Sequence, residues 1–278
     1  MVFSVIQPSA HLREYIKRYM LLHFRFSPND PIPLKPFPAS PNQGITFYPR
    51  GYLTAHHPNP ETGTGIRRPQ TVVFGQHINR ITLQLAQEEY LMFDVSFQPG
   101  VLARFLRNPL SEFVDQNIDA ESVIGAEIRL VNDQLAHASH YEQMVAIVEN
   151  YLWKRIQRLQ VDLLPLEKAS RHMLAKTNLW SLDQWAGHCC LSISQFERKF
   201  REQMGVSPKL FARIVRFDRA FWLKETNPQL DWLSVALQTG YYDYQHLVKD
   251  FKQFGGTTPP LFLNQNDNSP EKWLRLVN

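Results

Sequence analysis

Residues 180–208 read WSLDQWAGHCCLSISQFERKFREQMGVSP, and two helix starts are legible within them. Ser181 with Gln184, and Ser192 with Gln195, both have the S-x-x-Q form of a capping box, in which side chain and backbone of two residues satisfy each other at a helix start. Leu182, Trp185 and Ala186 follow the first cap at helical spacing. Ile193, Phe196 and Phe200 follow the second at i, i+3 and i+7, which marks one buried stripe. The opposite stripe of the second helix carries Ser194, Arg198 and Arg201. A short capped helix with an apolar back and an arginine-bearing front is a shape that a DNA major groove accepts.

The layout returns about fifty residues later, in LDWLSVALQTGYYDYQHLVKDFKQFGGTTPP at positions 230–260. Asp231 is a capping residue, and Trp232, Leu233, Ala236 and Leu237 form the apolar stripe that follows it. Gly240 suits a left-handed helix end, and Asp243 caps the next helix. That helix buries Leu247, Phe251 and Phe254 and shows Gln245, Lys249 and Lys252 at the same spacing on its other side. Between the pairs, Ser207 and Pro208 open a long helix whose Leu210, Phe211, Ile214, Phe217, Phe221 and Trp222 can bridge both units.

Residues Leu163 to Leu263 resemble the DNA-binding domain of the AraC-type transcription regulators. The most specific part is GYYDYQHLVKDFKQFGGTTP, with the family's Gly-aromatic turn (Gly240-Tyr241), a polar run, Phe251-Lys252 and a closing Pro259. Where the family often has Gly before the first recognition helix, this chain has Cys190-Leu191. The resemblance implies double-stranded promoter DNA as partner. It implies DNA contacts from Ser194, Gln195, Glu197, Arg198 and Arg201, and from Gln245, His246, Lys249 and Lys252, the two lysines mainly on phosphates. Each neutralised phosphate would add to the salt dependence of binding.

The charge is placed accordingly. The chain has 278 residues, 30 Lys/Arg against 26 Asp/Glu, and a net charge of +4. Residues 1–157 hold 14 of each sign, so the whole excess lies in the half with the helix pairs, which suits a polyanionic partner. Hydrophobic content of 44% supports two folded domains, and no apolar run is long enough to span a membrane. Residues 1–20 carry too many charges for a signal-peptide core. The two cysteines, Cys189 and Cys190, are adjacent and imply no disulfide framework. The expected location is the cytoplasm.

The first half predicts a different architecture. A helix is expected over His11–Leu22, then a proline-rich extended stretch over Pro28–Pro41. Strand-forming runs follow at 44–48, 71–74, 81–85 and 90–97, and helices at 100–107, 109–114, 121–136 and 140–159. The fold class is α+β: a small N-terminal β-barrel or curled sheet with helices, then an all-α domain of two helix-turn-helix units joined by a long helix. The domains are 1–157, 158–264 and a polar tail, 265–278. Regulators of this type commonly carry a cupin-like sensing domain in the first position, and PSAHLREYIKRYM and FQPGVLARFLRNPLSEFVD look like one branch of them. That implies a small-molecule effector, with Phe47, Tyr48, Phe74 and Phe93 as candidate lining. A homodimer, and RNA polymerase as partner of an activator, are further implications.

Two other readings remain open. One is a cupin-like metal enzyme fused to a DNA-binding domain. His56-His57 and His77 invite it, but the spacing is not the H-x-H of metal cupins, and no metal or other cofactor is expected. Glu88-Glu89 reads as a turn-like charge pair, and no nucleophile elbow, phosphate loop or dinucleotide fingerprint is present, so no catalytic residue is assigned. The other is a protein–protein adaptor whose basic face meets an acidic partner. Cys189 and Cys190 read as small buried hydrophobes in the turn.

Overall fold

The computed structural model describes residues 2–25, 34–56, 66–85, 89–159, 165–175 and 181–267. The stretch after Ile16 settles the first half. Ile16–Arg25 is not helical but a strand, β2, between β1 (Val2–Ile6) and β9 (Glu89–Phe97), antiparallel to both. The expected helix over His11–Leu22 is therefore wrong, and the cause is specific. The register slips between Ile16 and Arg18, and the bulge turns Ile16 and Tyr19 to the same face with helix-like spacing. Beyond it the alternation is regular: Tyr19 and Leu21 face one core, while Arg18, Met20, Leu22 and Phe24 face a cavity.

The other sheet members are β4 (Gly44–Arg50), β7 (Thr71–Phe74) and β10 (Asn117–Asp119), giving the order β1-β2-β9-β4-β7-β10. A second sheet runs β3-β8-β5-β6, from β3 (Leu34–Phe37), β5 (Leu53–His56), β6 (Ile66–Arg67) and β8 (Ile81–Leu85). The predicted runs at 44–48, 71–74, 81–85 and 90–97 are all strands, whereas β1, β3, β5, β6 and β10 were not foreseen. One face of the large sheet is sealed by helices α1 (Val101–Leu106), α2 (Ala120–Ile124), α3 (Glu127–Ala136) and α4 (Tyr141–Ile156). The helix expected over 121–136 is broken at Gly125, whose φ of 109° only glycine adopts readily. The other face meets the small sheet through Leu22, Phe24, Tyr48, Val72, Leu83 and Tyr90.

Among the described residues, seven helices follow: α5 (Pro165–Ala175), α6 (Leu182–His188), α7 (Ile193–Met204), α8 (Pro208–Thr226), α9 (Trp232–Gln238), α10 (Tyr244–Gly255) and α11 (Pro259–Asp267). Two cores form around α8. Phe196, Phe200 and Met204 pack with Trp185 and Phe211, while Leu247, Phe251 and Phe254 pack with Phe217 and Phe262. Among the described residues, no helix is long and apolar enough to cross a membrane. The linker at 160–163 and the tail at 268–278 lie outside the described residues, as does much of the proline-rich stretch.

Candidate nucleic-acid interface and the adjoining cavity

Both sequence-read capping boxes form. Gln184 N–H donates to the Ser181 hydroxyl at 3.2 Å while Ser181 N–H donates to the Gln184 side chain at 2.8 Å. Ser192 and Gln195 repeat this at 3.3 and 3.1 Å. Gln195 thus spends its side-chain oxygen on the cap and keeps only its amide donors outward. Ser194, Arg198 and Arg201 are exposed on α7, whereas Glu197 is half-buried. Arg198 donates to Glu202 at 3.0 Å, an exposed i, i+4 pair that costs little to open.

The connection into α7 departs from expectation. Cys189 is buried, but Cys190 is exposed and sits in the left-handed region at φ 54°. It is not a small core residue. It occupies a backbone conformation that a glycine would take without strain. At the corresponding turn before α10, Gly240 has φ 85°.

On α10, Asp243 caps the helix by accepting from His246 N–H at 2.8 Å, and the His246 ring is 2.8 Å from the same carboxylate. His246 is therefore tied to the cap, while Gln245, Lys249 and Lys252 are exposed. Tyr242 was not foreseen: it is 87% exposed at the entrance to α10, edge-on to His246 at 6.1 Å. Its twin Tyr241 is buried, and two tandem tyrosines give no sequence signal for which one turns out.

Asp250, on the back of α10, holds this helix to α8. It is 3% exposed and accepts two donors from Arg213 at 2.6 and 3.2 Å and the Tyr241 hydroxyl at 3.1 Å, with Arg216 at 3.5 Å. Burial, and then the Asp250 charge, push the Tyr241 hydroxyl well above its ordinary pKa.

The sheet half reaches the far ends of both outer helices. Gln43 donates its amide to Met204 O, the last carbonyl of α7, at 2.8 Å. Ala39 N–H donates to Phe254 O at 3.0 Å, and Arg80 donates to Gly255 O at 3.0 Å, both at the end of α10. Terminal helix carbonyls have no partner of their own, so these three donors serve as caps. Arg104 of α1 also pairs with the fully buried Glu167 of α5 at 3.2 Å.

Phe37–Ser40 and Asn42, from the segment that carries two of these caps, also border a cavity of about 270 Å³ between the sheets and α8. Tyr48 and Phe74 line it, but Phe47 and Phe93 lie on the opposite face of the large sheet, fully buried against the helices. Phe217, Asp218, Phe221 and Trp222 of α8 close it. Asp94 accepts from the Thr46 and Ser96 hydroxyls at 2.8 and 2.9 Å, and burial raises its pKa. Burial likewise pushes the Asp218 carboxyl up to about 6, against the opposing pull of Lys17 and Arg18.

The remaining candidates play other parts. His77 is buried between the rings of Phe37 and Phe74, 3.8 Å from Asp115. His57 and Glu88 lie outside the described residues, and nothing is described of the His56 side chain. Glu89 is a strand residue in an ion cluster. Its partial burial is outweighed by hydrogen bonds from His23, Arg50 and Arg25, which hold it at about 2.

Residues 185–265 match the model of a helix-turn-helix domain, and residues 4–119 match a domain of unknown function (DUF6597). An uncharacterized HTH-type transcriptional regulator from Haemophilus influenzae is 34% identical over 83 residues, 30% of this chain and 27% of that one. The HTH-type transcriptional regulator MtrA from Neisseria gonorrhoeae is 33% identical over 75 residues, 27% of this chain and 24% of its own. This chain thus spans about a quarter of the length of those relatives. A structure of ToxT from Vibrio cholerae (P21 form) superposes with a TM-score of 0.50 at 12% identity, covering 89% of this chain and 98% of that one. That likeness is one of fold. The C-terminal region carries an AraC-type helix-turn-helix domain, the DNA-binding kind found in transcription regulators.

Proposed function

We propose that this chain is a DNA-binding transcription regulator in which α7 and α10 both read DNA and the cavity beside α8 holds a small-molecule effector. The observation that carries the reading is the pair of outer helices. Each starts on a side-chain cap, turns an aromatic back onto α8, and shows cations outward: Arg198 and Arg201 on one, Lys249 and Lys252 on the other. With α8 as a common spacer, the two helices would enter successive major-groove turns on one DNA face, about 34 Å apart. Arg198 is the base-reading candidate, since a guanidinium can bridge guanine O6 and N7. Ser194, Gln195, Glu197, Gln245 and His246 complete the proposed interface, with Gln195 and His246 limited to what their capping roles leave free. Lys249 and Lys252 fit phosphates.

The sheet half is the proposed sensing domain, cupin-like in kind. Of the four aromatics read from sequence, Tyr48 and Phe74 line the cavity and support this reading, with Phe217 and Trp222 joining from α8. A cytoplasmic location, a homodimer and, for an activator, contact with RNA polymerase belong to the same reading.

The test is binding of the full-length chain to DNA from its own promoter region across a salt series. Specific binding that weakens steeply with salt is expected. Arg198→Ala should cost about 1–3 kcal/mol and relax sequence preference. Lys249→Ala should weaken binding to all sequences and flatten the salt slope by about one. Binding indifferent to both changes would refute the interface.

A further inference from the structure

We infer that the cavity between the sheets and α8 takes an organic anion, an apolar body with a single anionic head, and that Arg68 holds the head. The inference rests on the effector reading above and adds the ligand's chemical class. Arg68 follows β6 and is tied to β5 by its backbone N–H, which donates to Leu53 O at 2.8 Å. Its guanidinium lines the cavity and spends Nη1 on the Tyr48 hydroxyl at 3.3 Å. Its Nε and Nη2 are buried and meet no acceptor among the described residues. Among the described residues, no carboxylate lies within ion-pair distance of it.

Arg18, Asp94, Asp218 and Glu225 also line the cavity, and the Nε of Arg18 is buried without an acceptor among the described residues. Asp94 already takes two hydroxyl donors, and Arg18 lies in the fields of both Asp94 and Asp218. Arg68 thus brings two unused donors on a cation to the cavity. A buried cationic donor without an acceptor is costly, and a planar guanidinium suits the two oxygens of a carboxylate-like group. Around it the walls are apolar: Phe24, Tyr90, Met92, Phe217 and Phe221 receive the body of the ligand. Trp222 lines the cavity while half exposed, which places it at the rim.

The test uses two fluorescent probes of nearly one shape, 1-anilinonaphthalene-8-sulfonate and its uncharged counterpart N-phenyl-1-naphthylamine, titrated into the full-length protein. The expected result is one sulfonate probe per chain, bound more tightly than the neutral probe, with energy transfer from tryptophan that falls in Trp222→Phe. Arg68→Met should weaken the sulfonate roughly ten- to hundredfold and leave the neutral probe within about twofold. Arg68→Lys, which keeps the charge but loses the fork, should fall between. Thermal melts and DNA binding of the same preparations show whether each variant is folded. Equal affinity of wild type for both probes, or an Arg68→Met variant that remains folded and loses both or neither, would overturn the inference, and water would then be what satisfies Arg68. Failure of the wild-type protein to bind promoter DNA would sink the regulator reading while leaving the probe result standing.

Discussion

Replacing Asp250 by alanine should unfasten the second outer helix from α8. In the native chain this nearly buried carboxylate gathers donors from Arg213, Arg216 and Tyr241, and so joins α8, the turn before α10 and α10 itself. Breaking a buried ion pair from one side costs about 3–5 kcal/mol, because the partner charge is stranded. Here the stranded guanidiniums are 32% and 30% exposed and can recover part of their hydration, which points to the lower end, about 3 kcal/mol. The Tyr241 hydroxyl, left buried without its acceptor, adds about 1 kcal/mol. Asp250→Asn keeps the shape and one acceptor and should cost about half as much. The assay is urea unfolding followed by circular dichroism, with tryptophan fluorescence as a local probe, since Trp232 meets Phe251 edge-on with ring centroids 5.4 Å apart. The midpoint should fall with little change in slope. A loss under about 1 kcal/mol in the alanine variant would show that this network is not what holds α10 in place.

Three further outcomes follow from the same geometry. Gln43→Ala and Arg80→Ala each remove one cap, so each should destabilise the chain by about 1–2 kcal/mol, and the double variant should reduce DNA affinity while an Arg13→Ala control does not. The Asp218 carboxyl titrates higher folded than unfolded, so the folded chain binds the proton more tightly and ionisation at neutral pH opposes folding. Asp218→Asn should accordingly raise the melting temperature at pH 7.5, with the gain shrinking as pH falls from 6 towards 4; a gain independent of pH would refute this. Iodoacetamide should modify native protein once, at the exposed Cys190, and spare Cys189, whose thiol is buried and pushed up by that burial; mass spectrometry of the labelled peptide decides.

The helical half was legible because its information is local. Caps at Ser181, Ser192, Ser207, Asp231 and Asp243 lie within three residues of the backbone they serve, and all five form. In the sheet half the decisive partners are distant. Leu12, Ile16 and Tyr19 imitate a helical stripe, and only pairing of β2 with a strand some seventy positions on, together with the bulge at Ile16, shows otherwise. The candidate site divides in the same way. Arg198 and Lys249 could be placed by spacing, whereas Arg68 carries no pattern of its own, and its meaning appears only when β6 and Tyr48 enclose it. Phe47 and Tyr48 are neighbours in sequence but point into different compartments, a consequence of the strand period of two that their shared aromatic character conceals.

The three caps that the first half places on α7 and α10 also bear on inheritance. Regulators are often pictured as a sensor and a reader that gene fusion can shuffle freely. In this chain the last carbonyls of α7 and α10 depend on donors 161 and 175 positions away, at Gln43 and Arg80. A graft of residues 165 onward onto a foreign sensor would leave those ends to water, and functional chimeras should be rescued by transplanting the short segment around 37–43 as well. Drift in that segment should be tracked by drift around 204 and 254–255, so that the halves descend together as a lineage rather than as separable cassettes.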